Sequence, residues 1–338
     1  MKRHRFCRVR LRRALPMFLR VIAVLTVAVS LSRPSDAESG KLLQVGFFGP
    51  VWRGAATNPW LDAFSEGLRS RGYIEGQNVH VQYRFASEPE DIPAAAAELV
   101  GRKVDVIATV GPPQIEALRR TTDAVPIVIL ECDRADRIVA KIARPGGNIT
   151  GMACTSSDLA AKRLQLLQEV SPGLSRVAVL YNASTPSKVV ELGDIQAAAT
   201  KLAIAVQPVA VRDPQGFETA FATIQAGDAQ ALLSMADPLM MNHRHEIADF
   251  ALRHRLPSMY PFSHYVREGG LMSYGSDLIA AYHRYGYFID KIAKGAKAGD
   301  IPIEEPTKFE LIINLRTAKM LGIEMPSSLL VQANEVIE

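Results

Sequence analysis

The residues best suited to chemistry in this chain are polar and aromatic side chains that follow short apolar runs, and they suit reversible binding of a small polar molecule. Gly111-Pro112 follows one such run at Thr109, and the backbone N–H groups of a helix start favour a carboxylate. An aspartate such as Asp133 suits an ammonium group, and a tyrosine ring can stack on an aromatic ligand. The candidate binding residues are Trp52, Thr109, Gly111, Pro112, Asp133, Tyr181, Thr185, Ser187, Asp237 and Tyr274.

Each candidate also has a structural explanation. Asp237 precedes Pro238 and suits an N-cap, a role that we favour over ligand contact. Thr185 and Ser187 can likewise cap a helix. A tryptophan can cover the edge of a lobe, an aspartate can end a turn, and a tyrosine can be half-buried in the core. The sequence leaves these alternatives open.

No catalytic or metal-binding motif is present in the sequence. It contains no G-x-x-x-x-G-K-[ST] loop, no G-x-G-x-x-G after the first predicted strand and no C-x-x-C. His243 and His245 are two positions apart, so on a helix they point about 200° apart and cannot share an ion. We therefore predict a binding protein, not an enzyme, that needs no metal or cofactor. The alternative is a secreted α/β hydrolase that uses Asp133 or Asp237, since catalytic triads assemble in space.

The N-terminal segment is typical of a cleavable secretory signal. Residues 1–20 carry one lysine and seven arginines with no acid, and an apolar run from Val21 to Leu31 follows, then small residues up to Ala37. Such a run is too short to cross a hydrocarbon core about 30 Å thick. We predict cleavage after Ala37 and a periplasmic location, with Met17 as an alternative start.

Removal of this signal reverses the net charge. The whole chain is +4, with 39 basic and 35 acidic side chains, and residues 1–37 hold nine of the basic and one of the acidic ones. Residues 38–338 therefore carry 30 basic and 34 acidic side chains, a net charge of −4. The basic character that would suggest a nucleic-acid partner belongs to the signal, so we predict no such partner.

Two cysteines, Cys132 and Cys154, remain after the signal. An oxidising compartment permits them to pair, but two buried free thiols are equally common in a chain of this size, so pairing stays open. No cysteine directly follows the apolar run, which predicts a soluble protein without a lipid anchor.

Short apolar, β-branched runs alternate with segments of helical period. Strands are predicted at 42–48, 79–85, 104–110 and 126–130, and again at 176–181, 204–211, 229–234 and 258–260. Several runs are apolar at nearly every position, which is typical of parallel strands covered by helices on both faces. Two such blocks predict an α/β fold with two doubly wound Rossmann-like lobes. Ligands bind at the carboxyl ends of such strands, so facing ends create a cleft.

The chain order also predicts the lobe boundaries. Residues 144–157 contain helix-breaking proline and paired glycines and form the first crossover, and a second crossover lies around 261–270. A strand at 271–274 and a helix at 276–294 then return to the first lobe, and a strand at 309–313 belongs to the second. The predicted lobes are residues 38–145 with 262–302, and residues 146–261 with 303–338, joined by a hinge.

Four separated segments resemble one protein family. They are RPGGNITG from Arg144, GGLMSYGSD from Gly269, EPTKFELIIN from Glu305 and AKMLG from Ala318. In this order they resemble substrate-binding proteins of ABC transporters of the tryptophan/tyrosine-uptake type, over about residues 42–338. The resemblance implies a type I periplasmic-binding-protein fold, a Venus flytrap whose hinge closes two lobes on a ligand. It also implies ABC permease subunits as partners and, in some members, an aromatic amino acid as ligand.

These observations predict an extracytoplasmic solute-binding protein of an ABC importer. It would act as a monomer and capture a small polar ligand, an amino acid or related metabolite, by hinge closure. Besides the hydrolase, a sensory module with the same ligands is an alternative. It would signal to a membrane kinase in place of a permease, and the sequence does not separate these two partners.

Overall fold

The computed structural model describes residues 42–51, 58–132, 141–154 and 159–338. The predicted signal and the candidates Trp52 and Asp133 lie outside these residues.

The first lobe is built on a five-stranded sheet in the order β2-β1-β3-β4-β5, and every neighbouring pair is parallel. Its strands are β1 (Leu43–Gly49), β2 (Val79–Phe85), β3 (Val106–Val110), β4 (Ile127–Glu131) and β5 (Ile149–Ala153). The helices between them are α1 (Pro59–Arg69), α2 (Ile92–Gly101) and α3 (Pro112–Thr121). Strands β3, β4 and β5 are buried at every position, as expected for a sheet covered on both faces.

The second lobe is built on a seven-stranded sheet in the order β12-β11-β10-β9-β8-β6-β7. The neighbouring strands are parallel except β10 and β11, which are antiparallel. Its strands are β6 (Arg176–Asn182), β7 (Ala205–Val211), β8 (Ala231–Ser234), β9 (Ser258–Tyr260), β10 (Met272–Gly275), β11 (Glu310–Asn314) and β12 (Glu335–Ile337).

The remaining helices follow the same alternation. They are α4 (Leu159–Val170), α5 (Pro186–Lys201), α6 (Gly216–Ala226), α7 (Pro238–Asn242), α8 (Arg244–Arg253), α9 (Ser263–Arg267), α10 (Leu278–Ala293), α11 (Leu315–Leu321) and α12 (Ser327–Gln332). No helix among the described residues combines the length and the apolar character that a membrane crossing requires.

The α/β fold class and the predicted strands are confirmed, with ends that differ by a few residues at most. The start of α1 follows from two adjacent residues, Asn58 and Pro59. Asn58 is its N-cap, because Oδ1 accepts hydrogen bonds from the N–H groups of Trp60 and Leu61 at 3.1 and 3.3 Å, and Pro59 occupies the first turn.

Two strands lie in a different sheet from the one predicted. Strand β5 falls inside the segment assigned to the first crossover and to the second lobe, yet it pairs with β4 in the first sheet. Gly151 permits this pairing, since φ is +141° and a Cβ there would overlap the backbone of Ile129. Strand β10 was expected to return to the first lobe, but it pairs with β9 and β11.

Helix α10 does return to the first lobe, as predicted. It packs against α1, where Gly67 and Gly286 bring the two backbones together and a Cβ on either glycine would overlap the opposing helix. Around this contact, Tyr285 packs edge-on against Phe64 with ring centroids 5.6 Å apart. After β10 the chain leaves the second sheet. The close contact between α1 and α10 then holds α10 on the first lobe.

Candidate ligand-binding cleft

A cavity of about 990 Å³ lies between the carboxyl ends of the two sheets, and residues of both lobes line it. The first lobe contributes the ends of β2 and β4 and the start of α3, and the second contributes the segments that follow β6, β7 and β8. This is the position at which doubly wound sheets bind ligands, and the volume is within the range of small-molecule sites.

The wall from the first lobe contains two buried polar side chains. Gln114 is 2% exposed, and its Nε2 donates to the carbonyl oxygen of Ala86 at 2.8 Å. Because Nε2 must face that carbonyl, Oε1 is the free end of the amide, and it has no hydrogen-bond partner among the described residues. Glu131, at the carboxyl end of β4, is 1% exposed.

The wall from the second lobe is organised by Asp237. Its Oδ1 accepts from the N–H of Leu239 at 2.8 Å, which caps α7, and from Nδ2 of Asn182 at 3.1 Å. Its Oδ2 accepts from Oγ1 of Thr185 at 3.3 Å. The expected capping role of Asp237 is therefore confirmed. The same carboxylate also holds the segment that follows β6 against the segment that follows β8.

His243 lines the same wall. Its ring stacks on Phe217 with centroids 4.3 Å apart, and Nδ1 lies 3.1 Å from Oε2 of Glu246. The buried Nε2 has no hydrogen-bond partner in the described part of the chain. Within that part, no group of His, Cys, Asp or Glu is arranged to hold a metal ion.

The structure brings together four of the ten predicted binding residues. Pro112 of the first lobe and three residues of the second, Thr185, Ser187 and Asp237, line the cavity. Gly111 adjoins it, because a Cβ on this glycine would lie 3.8 Å from Cγ of Pro238 in the opposite lobe. The ligand contact of each remains a prediction.

The other described candidates lie away from the cavity lining. Thr109 is fully buried, and its carbonyl oxygen accepts from the hydroxyl of Tyr285 at 2.6 Å. Tyr181 and Tyr274 pack against the hydrophobic cluster of the second lobe, and the ring of Tyr274 lies 5.9 Å from that of Phe309. Neither tyrosine is among the lining residues, so the geometry gives no support to the expected stacking on a ligand.

The start of α3 is a poorer carboxylate site than its position suggested. The helix begins with Pro112 and Pro113, and proline has no backbone N–H. Two of the donors that a helix start usually offers are therefore missing. The carboxylate site expected at Gly111-Pro112 did not take account of Pro113, which removes a second N–H group.

Gln114, Glu131 and His243 line the cavity but are not among the ten predicted binding residues. Glu131 could have been predicted from sequence, because it is the single charged residue of β4 and stands at the end of an otherwise apolar strand. The indication for Gln114 is weaker, as a polar residue in the first turn of a helix that faces the cleft. His243 lies between α7 and α8 and is 8% exposed.

The two cysteines form a disulfide between Cys132 and Cys154, with Cα atoms 4.7 Å apart. It joins the carboxyl ends of β4 and β5, where the N–H of Cys154 also donates to the carbonyl of Glu131 at 2.9 Å. The carbonyl oxygen of Cys154 accepts from Oγ of Ser276 at 2.6 Å. The bridge therefore lies beside two of the places at which the chain passes from one lobe to the other.

Two further contacts join the lobes. Nδ2 of Asn242, at the end of α7, donates to the carbonyl of Val51 at 2.7 Å. Trp60 on α1 packs against His264 on α9 with ring centroids 4.8 Å apart. Burial, and to a lesser extent the charges of Arg244 and Arg267, lower the pKa of His264 to about 4, so it is neutral at pH 7.

Comparison with known proteins places this architecture in a wider group. A curated relative, the tyrosine-binding protein of Clostridioides difficile (strain R20291), is 24% identical over 271 residues, which cover 78% of this chain and 77% of the relative. A conserved domain protein from Vibrio cholerae is 23% identical with a TM-score of 0.80, covering 88% of this chain and 100% of that chain. An ABC domain in complex with L-Trp from Streptococcus pneumoniae is 22% identical with a TM-score of 0.78, covering 87% and 99%.

The fold extends to more distant proteins. A leucine-binding protein from Thermotoga maritima is 15% identical with a TM-score of 0.55, covering 75% of this chain and 83% of that chain. The shared fold is that of the type I periplasmic binding proteins, as expected. Residues 53–337 match the family described as ABC transporter substrate binding protein. Because this match spans most of the two-lobed structure, the chain belongs to the family of ABC transporter substrate-binding proteins.

Proposed function

We propose that the protein is the extracytoplasmic receptor of an ABC importer and that it binds an amino acid, with an aromatic side chain favoured, in the cavity between its lobes. The observation that carries this proposal is that both lobes line a single cavity at the carboxyl ends of their sheets. A ligand held there contacts both lobes, so its binding free energy favours the closed arrangement over the open one. The tyrosine-binding relative and the L-Trp complex support the choice of ligand class.

The cavity lining supports an amphipathic ligand. Apolar side chains such as Phe85, Ile92 and Leu239 alternate with the polar groups of Gln114 and Asn182. Sites of this kind use the apolar surface for affinity and the polar groups for orientation. A micromolar dissociation constant corresponds to about −8 kcal/mol, which a stacked or packed ring and a few charge-assisted hydrogen bonds can supply.

The location, partner and hinge belong to the same proposal. Residues 1–37 would direct export and be removed, and permease subunits would receive the ligand from the closed form. We place the lobe boundaries at residues 38–154 with 276–304, and at 155–275 with 305–338. This assignment follows the pairing of β5 and β10 and the return of α10.

The test is a calorimetric and thermal-shift screen of the twenty standard amino acids. The proposal expects one or a few of them, led by L-tyrosine or L-tryptophan, to bind at micromolar concentration and to raise the melting temperature. The ligand must be recovered unchanged after incubation. A flat screen, or conversion of the ligand, would contradict the proposal.

A further inference from the structure

The three places at which the chain passes between the lobes meet at the end of β5. The first passage begins after Cys154, because β5 ends at Ala153 and α4 packs on the second lobe. In the second passage, between β10 and α10, Oγ of Ser276 donates to the carbonyl oxygen of Cys154 at 2.6 Å. In the third, the N–H of Glu304 donates to the carbonyl of Gly151 at 2.9 Å, and its own carbonyl accepts from the N–H of Ala153 at 2.8 Å. We call these five residues the hinge junction.

The disulfide joins the hinge junction to the wall of the cavity. Cys132 directly follows Glu131, the residue that ends β4 and lines the cavity. The pairing of β4 with β5 ends where Glu131 lies opposite Ala153, and beyond it the N–H of Cys154 donates to the carbonyl of Glu131 at 2.9 Å. The bridge between Cys132 and Cys154 then links the two strand ends covalently. Movement of either strand end is therefore constrained by the other.

The contacts on either side of the hinge junction do not depend on the cysteines. In the first lobe, Arg284 donates to both carboxylate oxygens of Glu304, at 2.9 and 2.7 Å. In the second lobe, Nε of the buried Arg163 donates to the carbonyl of Tyr274 in β10 at 2.7 Å. Each lobe also has a hydrophobic cluster of its own. We therefore expect opening of the bridge to loosen the connection between the lobes and to leave each lobe folded.

The two cysteines differ in their access to solvent. Cys132 is partly exposed, whereas Cys154 is 1% exposed. A thiolate of a dithiol reductant can therefore attack the sulfur of Cys132 and form a mixed disulfide, which releases Cys154 as a thiolate that takes up a proton. The second thiol of the reductant then closes its own disulfide and releases Cys132. Two electrons and two protons pass from the dithiol to the bridge.

We propose that the disulfide between Cys132 and Cys154 is a redox-sensitive coupling between the cavity and the hinge, and that its reduction by a dithiol weakens ligand binding while both lobes stay folded. With the bridge closed, the end of β4 and the hinge junction are ordered before the ligand binds. With the bridge open, the ligand must order these segments itself, and this loss of conformational entropy lowers its affinity. The inference rests on the proposed function, because the ligand must occupy the cavity and favour the closed arrangement.

The first experiment needs no ligand. Amide hydrogen exchange, followed by mass spectrometry, compares the oxidised protein with the same protein in dithiothreitol. Residues 38–338 contain no cysteine besides Cys132 and Cys154, so reduction acts on this bridge alone. We expect exchange to be faster by about tenfold or more in peptides that contain residues 149–154, 275–277 and 303–305, because these amides open locally once the covalent link is lost. Peptides from β6 and β8, in the interior of the second sheet, should change by less than about twofold.

The second experiment measures binding of L-tyrosine and L-tryptophan by titration calorimetry. We expect the dissociation constant of a probe that binds to rise by about tenfold on reduction, and by the same factor in the double variant Cys132→Ser, Cys154→Ser. Dithiothreitol should leave that variant unchanged. Ile195→Ala is the control for lost stability alone, since Ile195 is buried in the second lobe and is not among the lining residues of the cavity. Its dissociation constant should change by less than about twofold.

The two experiments separate this inference from the proposed function. If a probe binds the oxidised and the reduced forms equally, the inference is overturned while the receptor function stands. If Ile195→Ala weakens binding as much as reduction does, the effect comes from lost stability and the inference is wrong. If neither probe binds the oxidised protein, the proposed ligand is wrong, and hydrogen exchange decides the inference. A rise confined to the hinge junction then supports the coupling, and an unchanged or uniform pattern overturns it.

Discussion

Asp237 is the residue on which the second wall of the cavity depends most. It caps α7 through Leu239 and also receives hydrogen bonds from Asn182 and Thr185, which follow the neighbouring strand β6. Its loss would leave a helix start without a cap and would remove the acceptor for Nδ2 of Asn182 and for Oγ1 of Thr185. The carboxylate therefore serves both the stability of the lobe and the shape of the site.

We expect Asp237→Ala to lower the free energy of unfolding by about 2 kcal/mol, because the cap and the two side-chain hydrogen bonds are lost together. Asp277→Ala is the matched control, since Asp277 caps α10 through two N–H groups at an exposed position. That variant should lose about 1 kcal/mol. Urea unfolding measures both, and equal losses would contradict the additional role of Asp237.

His264 makes stability depend on pH. Its pKa is lowered to about 4 in the folded state, chiefly by burial, against an ordinary value of about 6.5 in the unfolded chain. The unfolded state therefore binds more protons between these values, and stability falls as the pH drops through this window. Arg244 and Arg267 act in the same direction, and Asp277 opposes them.

We expect the stability of the protein to fall between pH 7 and pH 5, with about 2 kcal/mol of that loss absent in His264→Gln. His245→Gln is the control, since the side chain of His245 is 72% exposed. Urea unfolding at the two pH values measures the difference. An identical pH dependence in His264→Gln and the unmodified protein would show that the contact between Trp60 and His264 does not exclude the proton.

Residue-level reasoning from sequence succeeded where local geometry decides the role. Asp237 precedes a proline at a helix start, and that pattern alone predicts a cap. Tyr181 and Tyr274 were predicted to face a ligand because they end strands. Whether a ring turns toward the cleft or into the second hydrophobic cluster depends on tertiary packing, which sequence position does not encode.

At the scale of elements, the contact between α1 and α10 holds the two halves of the first lobe's sequence together. Gly67 and Gly286 face each other there with no space for a side chain. The pairing of these helices is thus encoded by two small residues that lie more than 200 positions apart, and periodicity along the chain cannot reveal it.

We expect Gly286→Ala to destabilise the protein by about 3 kcal/mol, because a methyl group would overlap the backbone of Gly67 and force the helices apart. Gly193→Ala is the control. Gly193 lies within α5, where a Cβ meets open space, so alanine should stabilise the helix by about 1 kcal/mol. Opposite signs in urea unfolding are predicted. A neutral effect at position 286 would contradict the close packing.

The disulfide supports the end of β5, where the chain leaves the first sheet. Its two cysteines are 22 positions apart, so removing it frees a short loop in the unfolded state. We expect the double variant Cys132→Ser, Cys154→Ser to lose about 3 kcal/mol in urea unfolding. Addition of dithiothreitol to the unmodified protein should approach the same value, and no loss in either case would mean that the bridge is not formed in solution.

Strands with apolar side chains at nearly every position could be predicted from sequence, and most elements of both sheets were. Strand β5 escaped because it contains Gly151 and follows Pro145 and two glycines, which usually break structure. The sheet to which β10 belongs could not be deduced either. Apolar residues such as Met272 occur in the strands of both sheets, so composition does not show to which sheet β10 belongs. Only its pairing with β9 and β11 shows this.

At the scale of the whole molecule, the two-lobed fold and the position of the cavity follow from the repeated α/β pattern. Parallel strands place their carboxyl ends at one edge, and two such edges facing each other create the site. The chemistry of its walls did not follow, because strand order, and not sequence spacing, places Gln114 and Glu131 on the same wall. We propose that a bound ligand contacts both lobes at once and thereby favours the closed form over the open one.

The most direct test of this claim measures the distance across the cleft with and without ligand. Spin labels attached at Glu90→Cys in the first lobe and Val189→Cys in the second, both at exposed positions, report that distance by double electron–electron resonance. The ligand found by calorimetry should shift the distance distribution to shorter values and narrow it, while a non-binding analogue should leave it unchanged. Saturating ligand that binds without any change in the distribution would contradict the account.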